Sequence, residues 1–283
     1  GWMSLQRVEL DAIPDLGDTQ VVVYSEWMGR APSLVEDQVG YPLVTGLLGL
    51  PRVIDVRAQS MFGMSFVYVV FEEGTDLYWA RARVQEALGA LRSRLPPEVS
   101  PRMGPDATGV GWVYQYALVD RTGQTDLGAL RTFHDTSLRY ALQTVPGVAE
   151  VATVGGYEPQ YQVTVDPERL RARGVTLMEV AEALRRANGE VGGRVIELSQ
   201  REHFVRGRGW LGGPADLERA VIRARPDGAS LRVSDVATVR WGPEIRRGAA
   251  DLDGRGEVVS GIVVMRQGER ARDVIGRVEA RLR

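Results

Sequence analysis

The sequence predicts an α+β protein made of two βαββαβ units, the second of which is interrupted by an inserted α+β block. Three observations support this prediction. Strand-like and helix-like patterns alternate in that order up to residue 103, the same order restarts after residue 110, and the region 157–243 has strands and helices of its own before the second unit resumes. A chain of 283 residues can hold two or three such units with well-buried cores.

The first unit is the more regular of the two. A β-branched strand at 20–24 precedes a helix over 33–48, in which apolar residues recur at helical spacing and Ser33 and Glu36 match a capping box. The remaining predicted elements are two strands joined by a turn at Gly63, a second helix and a short closing strand, at 53–59, 66–71, 76–95 and 99–102. This is the element order of the ferredoxin-like fold, an antiparallel sheet with both helices on one face.

The second unit is divided by the inserted block. Its predicted strands and helices lie at 110–119, 126–143, 148–154, 258–265 and 270–283, with a further strand expected at 245–252. Inside the block, Asp166 with Pro167 starts one helix and Thr176 with Glu179 forms a capping box for the next. Because the second unit lacks its last strand, we expect the chain to be a piece of a longer protein.

Composition excludes several classes of function. The chain has no cysteine, which excludes disulfides, thiolate metal sites and cysteine nucleophiles. Its formal net charge of −2 argues against nucleic-acid binding through a basic surface. All 35 basic residues are arginines, so a phosphate-binding loop with its lysine is excluded as well.

No group of residues in the sequence forms a catalytic constellation. His134 stands beside Asp135 on a predicted helix, but a catalytic triad would also need a serine brought close by the fold, and His203 is far away in sequence. We therefore expect no enzymatic activity, no catalytic residues and no resident cofactor.

Three residues are weak candidates for contact with a metal. The thioethers of Met61 and Met64 suit Cu(I) or Ag(I), although two methionines at a hairpin tip are more often packing or partner contacts. Glu150 lies in an otherwise apolar strand and faces either water or a cleft.

Two further groups are candidates for recognition. Trp112, Tyr114 and Tyr116 alternate along one predicted strand face, where they either fill the core or line a cleft. A hairpin predicted at 190–209 carries candidate subunit contacts, although it could equally be a surface hairpin without a partner; these contacts are Arg194, Glu197 and Arg201.

Several segments resemble the heavy-metal efflux pumps of the RND (resistance-nodulation-division) superfamily, particularly the copper/silver branch, and the resemblance covers the whole chain. They are GPDATGVGWVYQYALVD (104–120), FEEGTDLYWARARVQE (71–86), EVATVGGYEPQYQVTVDPERL (150–170) and GPEIRRGAADLDGRGEVVSG (242–261). The resemblance implies the first periplasmic loop of an inner-membrane pump. Its implied parts are one porter subdomain at 1–103, a second at 104–156 with 244–283, and a docking subdomain at 157–243.

The resemblance also implies a function and partners. The full protein would be a trimeric, proton-driven exporter of heavy-metal cations that works by alternating access. Its partners would be its own transmembrane domain and second periplasmic loop, the neighbouring protomers, a periplasmic adaptor and an outer-membrane channel. Because the family's cargo-binding methionines lie in the second loop, we expect this chain to bind metal weakly or not at all. Ile245 replaces a methionine typical of copper/silver members, which weakens that assignment.

Two other functions remain open at this stage. A soluble ligand-binding or regulatory protein could also be built from ferredoxin-like repeats, and a pump of this superfamily could export organic compounds instead of metals.

Overall fold

The computed structural model describes residues 18–108, 111–198, 201–209, 211–224, 228–246 and 248–283, and within 190–209 it describes the backbone alone. These residues divide into two compact units. The first contains the described residues up to Val119 together with Phe133–Val154 and Leu252–Arg283, and the second contains Asp120–Thr132 and Gly155–Asp251. None of the helices in the described ranges combines the length and the apolar character that crossing a membrane requires.

The first compact unit begins with a four-stranded antiparallel sheet of strand order β2-β3-β1-β4, called here the first repeat. Its elements are β1 (Gln20–Glu26), α1 (Pro32–Val35, a π-helical turn Glu36–Gly40, and Tyr41–Leu47), β2 (Val53–Met61), β3 (Met64–Phe71), α2 (Leu77–Leu91), a 3-10 turn (Arg92–Arg94) and β4 (Arg102–Met103).

The core of the first repeat lies between the sheet and its two helices. The apolar stripe predicted for α1 is confirmed, since all four of its residues are fully buried: Val35, Val39, Leu43 and Leu47. The predicted start of α2 is also confirmed, because the Asp76 carboxylate accepts the backbone N–H of Trp79 at 2.7 Å.

Two local predictions for the first repeat were wrong. The Ser33–Glu36 capping box does not form, because α1 begins one residue earlier with Ala31 as N-cap and Pro32 in the first turn, where its fixed φ suits a helix. The closing strand lies at β4, later than the predicted 99–102, and the preceding Val99 is buried in a turn.

The same compact unit contains a second antiparallel sheet in which β14 lies between β5 and β6, called here the second repeat. Its elements are β5 (Trp112–Leu118), α3 (Leu127–Phe133, a π-helical turn His134–Leu138, and Arg139–Gln143), β6 (Val148–Val154), β14 (Glu257–Met265) and α7 (Ala271–Leu282). The part of α3 before Phe133 belongs to the second compact unit. The strand predicted at 245–252 is reduced to β13 (Ala250–Asp251), and the described residues before it are irregular.

The link between helix and strand has the same geometry in both repeats. Arg52 and Gly147 adopt left-handed backbone conformations, with φ of 63° and 88°, just before β2 and β6. The carbonyl of each accepts a backbone N–H from the end of the central strand, from Glu72 at 2.8 Å and from Arg266 at 2.9 Å. The structural similarity between the two repeats therefore extends to individual hydrogen bonds, although the repeats show no obvious sequence identity.

The second compact unit has an apolar core of its own. Its strand pairs are β7 (Pro159–Val165) with β12 (Ala237–Pro243), β8 (Gly189–Leu198) with β9 (Arg201–Gly209), and β10 (Val221–Ala224) with β11 (Ser230–Arg232). Its helices are α4 (Pro167–Arg173), α5 (Leu177–Ala187), α6 (Pro214–Arg219) and a 3-10 turn (Val233–Asp235). Residues that pack together in this core include Val180, Leu217, Ile222, Leu231, Val233 and Val236.

The helix starts predicted for this block are confirmed. Asp166 accepts the backbone N–H groups of Glu168 and Arg169 at the start of α4. Thr176 and Glu179 form the reciprocal capping box at the start of α5.

The crossover between the two repeats runs from residue 104 to residue 111, and its residues 104–108 are bonded to both repeats. On the side of the first repeat, Arg81 of α2 donates to the carbonyl oxygens of Gly104 and Pro105 at 2.8 and 3.2 Å. The Tyr78 hydroxyl, also from α2, donates to Asp106 Oδ2 at 2.9 Å, and this bond is the main cause of the raised pKa of Tyr78.

The same aspartate reaches the second repeat. Its Oδ2 lies 3.6 Å from Arg266 Nε, and its carbonyl oxygen accepts the backbone N–H of Gln267 at 3.1 Å, both just after β14. Asp106 is thus bonded to helix α2 of the first repeat and to the residues that follow strand β14 of the second.

We predict that Asp106→Ala lowers the free energy of unfolding by about 1–2 kcal/mol, since it removes the acceptor of Tyr78 and the ion partner of Arg266. Chemical denaturation of the chain measures the change. Glu98→Ala, at an exposed turn, is the matched control, and an equal effect of the two substitutions would contradict the role given to Asp106.

Glu179 makes the second compact unit sensitive to acid. Its carboxylate accepts the Thr176 backbone N–H at 2.8 Å and the Arg223 Nε–H at 2.8 Å, and these bonds lower its pKa from an ordinary 4.5 to about 2. A lowered pKa in the folded state contributes stability that is complete above pH 4.5 and is lost as the pH falls towards 2.

We therefore expect Glu179→Gln to be less stable than the wild type at neutral pH and to lose less stability between pH 4.5 and 2. Denaturant unfolding at a series of pH values measures both. Glu182→Gln on the same helix is the control, and an unchanged pH slope in Glu179→Gln would refute the assignment.

Candidate functional site

The second repeat holds a fully buried histidine in the π-helical turn of α3. His134 Nε2 lies 2.8 Å from the Tyr116 hydroxyl of β5, and its Nδ1 lies 3.0 Å from Thr153 Oγ1 of β6 and 3.1 Å from Asp135 Oδ1. Thr153 in turn donates to Asp135 Oδ1 at 2.6 Å. One imidazole therefore connects the helix to both outer strands of the sheet.

The bonding pattern defines the protonation of this network. Thr153 has one hydroxyl hydrogen, which it donates to Asp135, so its oxygen accepts from Nδ1–H of His134. When the imidazole is neutral, Nε2 is then the acceptor of the Tyr116 hydroxyl. Burial, and to a smaller extent the Asp135 charge, raise the pKa of Tyr116, which keeps its hydroxyl protonated as a donor.

The network is enclosed within the second repeat. His134 has no exposed surface, and the hydroxyls at its ring nitrogens belong to Tyr116 and Thr153. In the first repeat, the π-helical turn of α1 buries an apolar Val39 instead. The sequence shows the His-Asp pair but not its partners, which lie on two distant strands.

The three aromatic residues of β5 do not share one face. Tyr114 and Tyr116, with ring centroids 6.5 Å apart, pack against the core of the second repeat. Trp112 is 64% exposed, because a β-bulge shifts the pairing of β5 with β14 between Tyr114 and Trp112. The prediction that the three alternate regularly was wrong at Trp112, and a cleft-lining role stays a prediction.

Glu150 of β6 and Trp112 of β5 both pair with Val264 of the central strand β14, one from each side. The three residues therefore form one row across the sheet. The neighbouring Val151 and Val263 belong to the core, so this row is on the face away from the helices. Within the described ranges, no three His, Asp or Glu side chains come close enough together to hold a metal ion, Glu150 included.

Met61 and Met64 form the last residue pair of the β2–β3 hairpin. Met61 is 40% exposed, and Met64 is partly buried. The structure thus brings these two candidates directly opposite each other at the hairpin tip.

The candidate subunit contacts lie on the hairpin of β8 and β9. The predicted hairpin is confirmed at the level of the backbone, where Glu197 pairs with Glu202 and Leu198 with Arg201. The side chains of Arg194, Glu197 and Arg201 lie outside the described part of the structure, so their contact role stays a prediction.

The second compact unit also contains a cavity of about 370 Å³ that the sequence analysis missed. Its lining residues are Asp126, Ala129, Tyr157, Pro159, Trp241, Gly242 and Pro243. Trp241 is supported by Tyr161, at a ring-centroid distance of 4.2 Å, and Tyr157 packs so closely on Gly128 that a Cβ there would lie 2.6 Å from its ring. These residues come from three separate segments, so no local pattern indicates the cavity.

The His134 network predicts a non-additive pair of substitutions. Tyr116→Phe should lower the free energy of unfolding by about 1 kcal/mol, and His134→Val by more, because it also removes the partner of Thr153 and Asp135. In the double variant, the two losses should fall short of additivity by about 1 kcal/mol. Tyr114→Phe, combined with His134→Val, is the control and should be additive, whereas additivity for Tyr116 would contradict the shared bond.

The whole chain, residues 1–283, matches the sequence profile of the AcrB/AcrD/AcrF family. It is 49% identical over 282 residues to the cation efflux system protein CusA of Escherichia coli (strain K12), a match that covers 100% of this chain and 27% of that protein. The putative cation efflux system protein SilA of Salmonella typhimurium is 48% identical, with the same coverage of 100% and 27%.

The chain is also similar in structure to a solved protein. The X-ray crystal structure of a heavy metal efflux pump superposes with a TM-score of 0.87 at 29% identity, over 99% of this chain and 28% of that one. The chain spans about a quarter of the length of the curated relatives it matches. In agreement with the resemblance seen in its sequence, the chain belongs to the AcrB/AcrD/AcrF family.

Proposed function

We propose that this chain is the first periplasmic portion of a proton-driven inner-membrane exporter of heavy-metal cations. The observation that carries the proposal is the near 49% identity, along the entire chain, to a cation efflux system protein. The likeness to a heavy metal efflux pump structure supports it independently. The work of the chain would be transport, with no enzymatic step.

Each repeat would be a ferredoxin-like porter subdomain. The strand order β2-β3-β1-β4 of the first repeat, with all neighbours antiparallel, supports this architecture, and β6-β14-β5 of the second repeat corresponds to its first three strands. The boundaries would be 1–103 for the first porter subdomain, 104–156 with 244–283 for the second, and 157–243 for a docking subdomain. The separate core of the inserted block supports the last of these.

Export would proceed by alternating access, in which porter subdomains shift to open and close a cleft. The crossover at Asp106 is suited to transmit such a shift, since it is bonded to α2 of the first repeat and to the end of β14 of the second. Trp112 and Glu150, on the helix-free face of the second repeat, are the residues we propose for the cleft.

The exporter would work as a homotrimer. The docking subdomain would contact neighbouring protomers through the β8–β9 hairpin, and the periplasmic assembly would include an adaptor and an outer-membrane channel. The transmembrane domain and a second periplasmic loop would be supplied by the rest of the same protein.

The cargo would be a heavy-metal cation, and Cu(I) or Ag(I) is the proposed choice. The resemblance to the copper/silver branch supports a soft monovalent ion, whereas the exposed Ile245 removes one thioether that such members tend to have. The described residues offer no cluster of His and carboxylate groups that would favour zinc instead.

A metal-tolerance assay tests this function. The full-length gene should raise the silver and copper tolerance of a bacterial host that lacks its own exporters, with much smaller effects for zinc and for organic toxins. The empty vector is the control. Tolerance to organic toxins alone would indicate a multidrug pump, and no change at normal protein levels would contradict export.

A further inference from the structure

Three methionines lie at or beside the tip of the β2–β3 hairpin. Met61 and Met64 are directly paired there, which places their Cβ atoms about 5 Å apart on one face of the sheet. Met28, which follows β1, approaches the turn between them: a Cβ on Gly63 would lie 3.2 Å from its Cα and 3.3 Å from its sulfur.

Backbone hydrogen bonds hold this third methionine in place. The Trp27 N–H donates to the Gly63 carbonyl at 2.8 Å, and the Gly63 N–H donates to the Arg30 carbonyl at 3.0 Å. The turn that contains Met28 is therefore bonded on both sides to the hairpin turn. Gly63 adopts a left-handed conformation (φ 69°), and any side chain at this position would enter the space of Met28.

Exposure distinguishes these methionines from a core cluster. Met28 is 45% and Met61 40% exposed, whereas Met265 in the core of the second repeat is 8% exposed. Met28 and Met61 are thus accessible from solvent, Met64 is partly buried, and the three rotatable bonds of each side chain would allow the sulfur atoms to converge on an ion.

Thioether ligands at the hairpin tip would favour soft cations. Thioether sulfur is a neutral, polarisable ligand that suits Cu(I) and disfavours hard divalent ions. Glu26 pairs with Met64 across β1 and β3, so a carboxylate stands on the same face and favours a positive charge.

We propose that Met28, Met61 and Met64 form a three-thioether binding site for a soft monovalent cation, Cu(I) or Ag(I). The binding claim depends on these side chains alone, whereas a role as a contact point for exported cargo rests on the proposed function. A site with a third thioether departs from the expectation drawn from the sequence, which was that this chain binds metal weakly or not at all.

Titration of the 283-residue chain with silver nitrate in chloride-free buffer tests the site. Because the chain has no cysteine, thiols cannot contribute to the signal. We expect one equivalent of Ag(I) to bind, with the methyl resonances of Met28, Met61 and Met64 shifting in ¹³C-methyl-methionine NMR. Those of Met103, Met178 and Met265 should stay in place, and Zn(II) should produce no shift.

Substitution of each methionine by leucine measures how much its thioether contributes to binding. Each of Met28→Leu, Met61→Leu and Met64→Leu should weaken the affinity about tenfold or more, equivalent to about 1.4 kcal/mol, and the triple variant should lose stoichiometric binding. Met178→Leu, at another exposed methionine, is the matched control and should bind like the wild type.

Either of two results would overturn the site: no stoichiometric Ag(I) binding by the wild-type chain, or unchanged binding by a triple variant with a wild-type circular dichroism spectrum. Neither result bears on export, since the tolerance assay of the full-length protein reports that function separately.

Discussion

One carboxylate connects the two repeats of the first compact unit. Asp106 accepts a hydrogen bond from Tyr78 of the first repeat and faces Arg266 of the second, and its carbonyl oxygen accepts the backbone N–H of Gln267. Such bonds are modest individually, at about 1 kcal/mol each. These bonds matter because of their position. All three contacts are made by Asp106, so a movement of either repeat would change the contacts of this one residue.

The repeats share geometry but differ in how each first helix is anchored. Both helices contain a π-helical turn with a fully buried residue, Val39 in one and His134 in the other. Val39 contributes only apolar packing, whereas His134 bonds to β5 and β6 through directional contacts. A directional anchor holds a helix in one register, since any sliding would break several bonds inside a region that water does not reach.

Sequence patterns predicted the elements well where local physics decides them. The apolar spacing of α1, the cap at Asp76 and the capping box at Thr176 all depend on residues a few positions apart. The features that sequence patterns missed depend on contacts between strands that are far apart in the sequence. The bulge opposite Val264 turns Trp112 away from Tyr114, and the partners of His134 and the neighbour of Gly63 are set by tertiary packing. At Ser33 two local signals competed, and Pro32 started the helix.

The proposal that the crossover couples the two repeats during export is tested most directly in the full-length protein. The measurement is silver tolerance of cells that express Tyr78→Phe with Arg266→Gln, normalised to the amount of pump in the membrane. Both substitutions remove partners of Asp106 and leave the crossover backbone intact. The coupling predicts normal amounts of protein with a clear loss of tolerance. Wild-type tolerance at normal protein levels would contradict it.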